Sequence, residues 1–162
     1  MKIKVRYVVL AAVLILVVMN VAIRTTNDKI ADSMEAILRE YPLPPETELL
    51  DSLSVAAKVD GNGNGMQYFG MILVQSSRTE DQLEDHYKAV MEETHRVPIF
   101  GYADWVSVSR QESPIVFEYC DYRFDNYQEN ADCYRISMEL YTVVGCEDTL
   151  LQSILNTDLR GH

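Results

Sequence analysis

The chain has 162 residues, 48% of them hydrophobic, with 25 acidic side chains against 14 basic ones and a formal net charge of −11. Three of the cations, Lys2, Lys4 and Arg6, precede a long apolar segment, and without them eleven cations face twenty-five acids, a net −14. Such a surface repels phosphate backbones and anionic headgroups, which argues against nucleic acid as a partner.

Residues 7–23 carry no charge and only Tyr7 and Asn20 as polar side chains. A helix satisfies its own backbone hydrogen bonds, so this run can sit in hydrocarbon. At about 1.5 Å per residue it spans roughly 25 Å, slightly under the core of a bilayer. Thr25 and Thr26 can extend it, while Lys4, Arg6 and Arg24 can snorkel to the headgroups. Two readings fit the first 26 residues, an uncleaved transmembrane anchor over 7–26 and a secretory signal peptide that is cut away. Signal cleavage needs small residues before the cut, and Asn20 fits that rule poorly, which favours the anchor. Cleavage would leave a secreted protein. The cations at residues 2, 4 and 6 favour a cytoplasmic start over 1–6, against a weaker pull from Arg24 and Lys29, so the expected topology is N-in, C-out in a cell membrane. Six residues are too few to relay a signal, so any sensing role needs a partner in the membrane.

Ile30, Met34, Ile37, Leu38 and Tyr41 recur at helical spacing and predict a juxtamembrane amphipathic helix, either separate from the anchor or continuous with it. Pro42, Pro44 and Pro45 then form a stiff connector, making 27–45 a stalk and 46–162 the folded domain. Leu49, Leu53, Val55, Ala57 and Val59 alternate with polar residues as a half-buried strand does. The Asn-Gly repeats of 61–65 supply a tight turn, and 66–74 is apolar on both faces, so 49–75 reads as a hairpin with a central second strand. Thr79 and Gln82 have capping-box spacing before the stripe Leu83, Tyr87, Val90 and Met91, which predicts a helix over 80–94. Residues 105–110, 115–122 and 133–144 read as strands, and Asp148 as the cap of a last short helix carrying Leu151, Ile154 and Leu155. The order β-β-α-β-β-β-α gives an α+β fold, an antiparallel sheet of about five strands with a helix on one face.

Pairing 115–122 with 133–140 so that opposed residue numbers sum to 253 sets Phe117 against Ile136, Glu118 against Arg135 and Cys120 against Cys133. That register predicts a Cys120–Cys133 disulfide, with a pair of ordinary strand-end thiols as the alternative. Cys146 is then left over, and no C-x-x-C spacing points to a zinc ribbon or a redox site.

Asp60, Asn62 and Asn64, with Gly65, match the first half of a calcium loop, but position twelve is Met71 rather than the bidentate glutamate. A weak calcium site is therefore the rival of a plain hairpin turn; no other cofactor is implied. The loop 121–132 interleaves Asp121, Asp125, Glu129 and Asp132 with Tyr122 and Tyr127, a lip suited to a cationic or carbohydrate partner, or simply a solvated loop. His86 and His95 lack metal-ligand spacing, and no nucleophile elbow, zinc-protease helix or phosphate loop occurs. The leading expectation is a membrane-anchored, extracytoplasmic, non-catalytic binding or assembly domain of the cell envelope, working with a protein partner. The alternatives are a calcium- or small-ligand-binding envelope module and a hydrolase without a recognisable motif. The oligomeric state is left open.

Overall fold

A computed structural model describes residues 2–59, 65–93, 105–111, 114–118, 120–129, 131–142, 149–158 and 160. Helix α1 runs unbroken over Lys2–Glu40, 39 residues and about 58 Å long. Its two halves live in different surroundings. From Val5 to Val21 the large apolar side chains are 49–69% exposed, those of a bare helix. From Asn27 onward one face is buried, with Ile30, Ala31, Met34 and Leu38 all at 0–1% exposure. The expected amphipathic helix is continuous with the apolar segment. It is the second half of one helix, and its apolar stripe is part of the domain core.

Strands β1 (Thr47–Ala57), β2 (Gln67–Ser76), β3 (Trp105–Arg110) and β6 (Cys133–Tyr141) form a four-stranded sheet in the order β1-β2-β6-β3. Every neighbouring pair is antiparallel. The predicted hairpin is present, and β2 is internal and buried on both faces as its continuous apolar run requires. A register shift between Leu49 and Asp51 turns Leu49 towards the α1 side, while Leu53 and Val55 face the other way.

Strand β6 does not pair with 115–122. It lies between β2 and β3, with Ile136 opposite Ile72 on one side and Val108 on the other. The segment before it folds back on itself instead: Phe117 N–H donates to the Cys120 carbonyl at 3.0 Å, and β4 (Ile115–Val116) pairs with β5 (Asp121–Tyr122) in a separate two-stranded sheet. The 253 register fails because Tyr134, Ile136, Met138 and Leu140 make a central strand, which takes long partners on both edges.

Helix α2 (Glu80–Glu93) starts with the expected box: Gln82 N–H donates to Thr79 Oγ1 and Thr79 N–H to Gln82 Oε1. Helix α3 (Leu150–Leu155) is capped by Thr149, not Asp148, because Gln152 sits three residues on and completes a second box. Leu155 is buried, whereas Leu151 and Ile154 point outward.

Two apolar layers flank the sheet. On one face Tyr68, Ile72, Val74, Ile136 and Met138 meet the inner stripe of α1, Leu83, Tyr87 and Val90 of α2, and Leu155. On the other face Val55, Phe69, Met71 and Leu73 are covered by the 114–131 excursion through Ile115, Phe117, Tyr122 and Phe124. Gly70 sets the first packing distance. A Cβ there would stand 2.2 Å from the Glu35 nitrogen and 2.4 Å from the Met34 carbonyl carbon, both backbone atoms. Gly70→Ala should therefore push α1 off the sheet and cost about 1–3 kcal/mol, the usual range for overpacking, seen as a lower urea midpoint at unchanged slope. A neutral result would show that α1 floats on the sheet.

Candidate functional site

The sequence-nominated residues do not converge. Asp60, Asn62 and Asn64 of the calcium half-loop lie outside the described residues, as do His95 and Cys146. Among the described residues no group of three or more His, Cys, Asp or Glu side chains is placed to hold a metal.

Cys120 and Cys133 are both free thiols. Cys133 stands opposite Gln75 at one end of β2, with its Sγ 3.9 Å from the Gln128 carbonyl. Cys120 closes the turn with Phe117, whose ring stacks on Phe69 at 4.9 Å. Both thiols belong to the second apolar layer. The pairing that motivated a disulfide is absent from this arrangement.

The 121–132 stretch is a cover rather than a free lip. Tyr122 and Tyr127 pack inward on the second core layer, and burial pushes the Tyr122 phenol up to about 12, helped by the Cys120 thiol. Asn126 fastens the stretch to β1, its N–H donating to Asp51 Oδ2 at 3.0 Å and its amide to the Leu50 carbonyl at 3.1 Å. Asp121, Asp125, Glu129 and Asp132 are left pointing to solvent. Asp132 also pairs with Arg110 at 2.6 Å and lines an open cleft of about 550 Å³ with Glu46, Thr47, Glu48, Gln75, Ser76 and Ser77. The hydroxyls of that cleft bond to one another and to Glu46: Thr47 Oγ1 to Ser76 Oγ at 2.8 Å, and Ser77 Oγ to Glu46 Oε2 at 2.7 Å. Among the described residues no imidazole lines it. His86 is engaged elsewhere, 2.8 Å from the Pro42 carbonyl and edge-on to Tyr41 and Tyr87.

A site that sequence reading missed lies where α1 enters the domain. Asp158, fully buried, is held by the Asn27 amide at 3.0 Å and by Arg160, whose Nε and Nη2 donate to Oδ2 at 3.0 and 2.7 Å. Arg160 also pairs with Asp28 and donates to the Arg24 carbonyl, and Arg24 approaches Asp158 Oδ1 at 3.8 Å. Asn27 gives its second donor contact to the Leu155 carbonyl and accepts from the Tyr68 hydroxyl at 2.8 Å. Burial and the nearby Asp158 raise the Tyr68 pKa, so the phenol keeps the proton it donates. Burial alone would raise the Asp158 carboxyl, but hydrogen bonds from Arg160 and Asn27, with the Arg160 charge, hold it below the usual carboxylate range. This clamp ties Asp158 and Arg160 to the point where the apolar half of α1 ends. The one available signal was Asn27, a polar residue three before Ile30 on the predicted apolar stripe.

Among the described residues, the exposed apolar half of α1, the clamp at its root and the acidic cover are the most distinctive surface and charge features. Comparisons with protein-family models, with curated proteins and with solved structures gave no match.

Proposed function

We propose that the chain is a single-pass membrane protein whose α+β domain, on the outer side of the membrane, acts by binding as an accessory or assembly component of an envelope complex. The observation that carries this reading is the division of α1. One helix is wholly unburied and apolar through the residues long enough to cross a bilayer, then becomes the central helix of a packed domain without a break. A soluble protein would have no use for thirteen large apolar side chains held out in water. The cations at residues 2, 4 and 6 support an inside start. A binding role is supported by the cleft and the cover, which present hydroxyls and carboxylates as contact groups among the described residues.

The test is topological. The protein should stay in the membrane pellet through an alkaline carbonate wash. A Glu129→Cys variant should react with a membrane-impermeant maleimide in intact cells. Release by carbonate would sink the anchor, and labelling only after permeabilisation would reverse the orientation. Given both results, Asp125→Lys and Glu129→Lys together should reduce chemical cross-linking to membrane partners if the acidic cover is the contact surface.

A further inference from the structure

We infer that the outward face of α3 is a second membrane contact, seated in the headgroup layer of the same leaflet from which α1 emerges. The inference rests on the anchored reading and adds to it how the domain sits. Ile23, the last residue of the apolar run, already packs on the core cluster that contains Leu155. Asn27, which binds the Leu155 carbonyl, is four residues further on, about 6 Å along the helix. The headgroup layer is itself roughly 5–7 Å thick. No linker therefore lifts the domain clear of the lipid, and the elements bound to α1 at 23–28 lie at headgroup depth.

Among those elements α3 carries the matching chemistry. Leu150, Leu151 and Ile154 are 78%, 46% and 36% exposed, while Gln152 and Leu155 are buried. At 100° per residue the three exposed residues fall within one arc of about 100°, and the buried pair follows it on the side next to Leu151. An apolar arc on a helix at this depth is the arrangement of interfacial helices, which sink their apolar side to the acyl boundary. The local charge does not oppose it: at the root of α1 three cations, Arg24, Lys29 and Arg160, stand against two carboxylates, Asp28 and Asp158, which already pair with the arginines. Although the domain is acidic, Lys29 is exposed there and the excess of one cation lets a phosphate headgroup approach this end of the domain.

Three tryptophan variants of the full chain in lipid vesicles test this, read as differences from the parent, whose one tryptophan is Trp105. Leu14→Trp reports on the span and Leu150→Trp on α3. Leu43→Trp, just past the far end of α1, reports on a point about 25 Å of helix away from Ile23. With lipids brominated high on their acyl chains, Leu14→Trp and Leu150→Trp should both be quenched, each several-fold more than Leu43→Trp. Quenching of Leu14→Trp with Leu150→Trp no different from Leu43→Trp would overturn the α3 contact and leave the anchor standing. Blue-shifted but unquenched emission from Leu150→Trp would mean that protein, such as a second copy, covers the face, and would overturn it too. Equal quenching at all three positions would remove the depth distinction on which the inference depends. An unquenched Leu14→Trp would bring down the anchor and the α3 contact together.

Discussion

A fragment beginning at Glu46 is expected not to fold, whereas one beginning at Ile23 is expected to fold without detergent. The sequence places a proline connector after residue 41, which invites a cut there. That cut would remove Ile30, Ala31, Met34 and Leu38, all at 0–1% exposure, and uncover Tyr68, Ile72, Val74, Ile136 and Met138 beneath them. Full burial of one large apolar side chain contributes about 1.5–3 kcal/mol, so losing Ile30, Met34 and Leu38 alone removes roughly 5–9 kcal/mol. A domain of this size has only about 5–15 kcal/mol in total. The clamp is lost as well, since Asn27, Asp28 and Arg24 are its α1 members. Near-ultraviolet circular dichroism with urea titration decides the matter. The fragment from Ile23 should show tyrosine signals and one cooperative transition, and the fragment from Glu46 neither. Cooperative unfolding of the shorter fragment would mean that α1 merely rests on a sheet that is stable alone.

The boundary was hard to read for a physical reason. The periodicity of Ile30, Met34, Ile37, Leu38 and Tyr41 reveals an apolar face, but not what covers it. Proline is equally at home in a linker and in a tight turn inside a domain, and here Pro42 and Pro45 do the second: their carbonyls accept from His86 and from Arg78. Local signals were transparent where the structure is local. The 49–75 hairpin and the Thr79–Gln82 box needed only neighbouring residues, and both are present. Strand partnership is not local. The 253 register satisfied apolar, charged and thiol pairs at once, yet β6 takes β2 and β3, because an all-apolar strand face is better buried in mid-sheet than at an edge. In the 121–132 loop the burial of the tyrosines is likewise non-local: Tyr122 and Tyr127 pack on the core layer it covers, while its carboxylates stay exposed. The clamp could not be foreseen, since Asn27 and Asp158 lie 131 residues apart and neither stands in a motif.

Replacing Asp158 should cost more than replacing any other single charged group among the described residues, and the loss should carry a pH signature. Breaking a buried ion pair by removing one partner typically costs about 3–5 kcal/mol, because the remaining charge is left uncompensated. Arg160 keeps Asp28 as a second carboxylate and is 26% exposed, so Asp158→Asn should fall near the lower end, about 3 kcal/mol. Asp158→Asn combined with Arg160→Gln should be more stable than Asp158→Asn alone, since it removes the stranded cation. The sign with pH follows from the depressed carboxyl. Its contribution is fully present above the ordinary aspartate value of 3.8 and is lost as pH falls below that value, through the lower folded pKa. Urea midpoints of the parent and of Asp158→Asn should therefore differ most near neutrality and converge below pH 3.8. A constant gap down to strongly acid pH would show that Asp158 acts through packing and neutral hydrogen bonds alone. Because the clamp fastens Asp158 and Arg160 to α1 just past its apolar run, the same acidification should loosen the domain at that point before the sheet itself unfolds. Amide exchange at residues 24–28 and 155–160 should then rise ahead of exchange in β2 and β6.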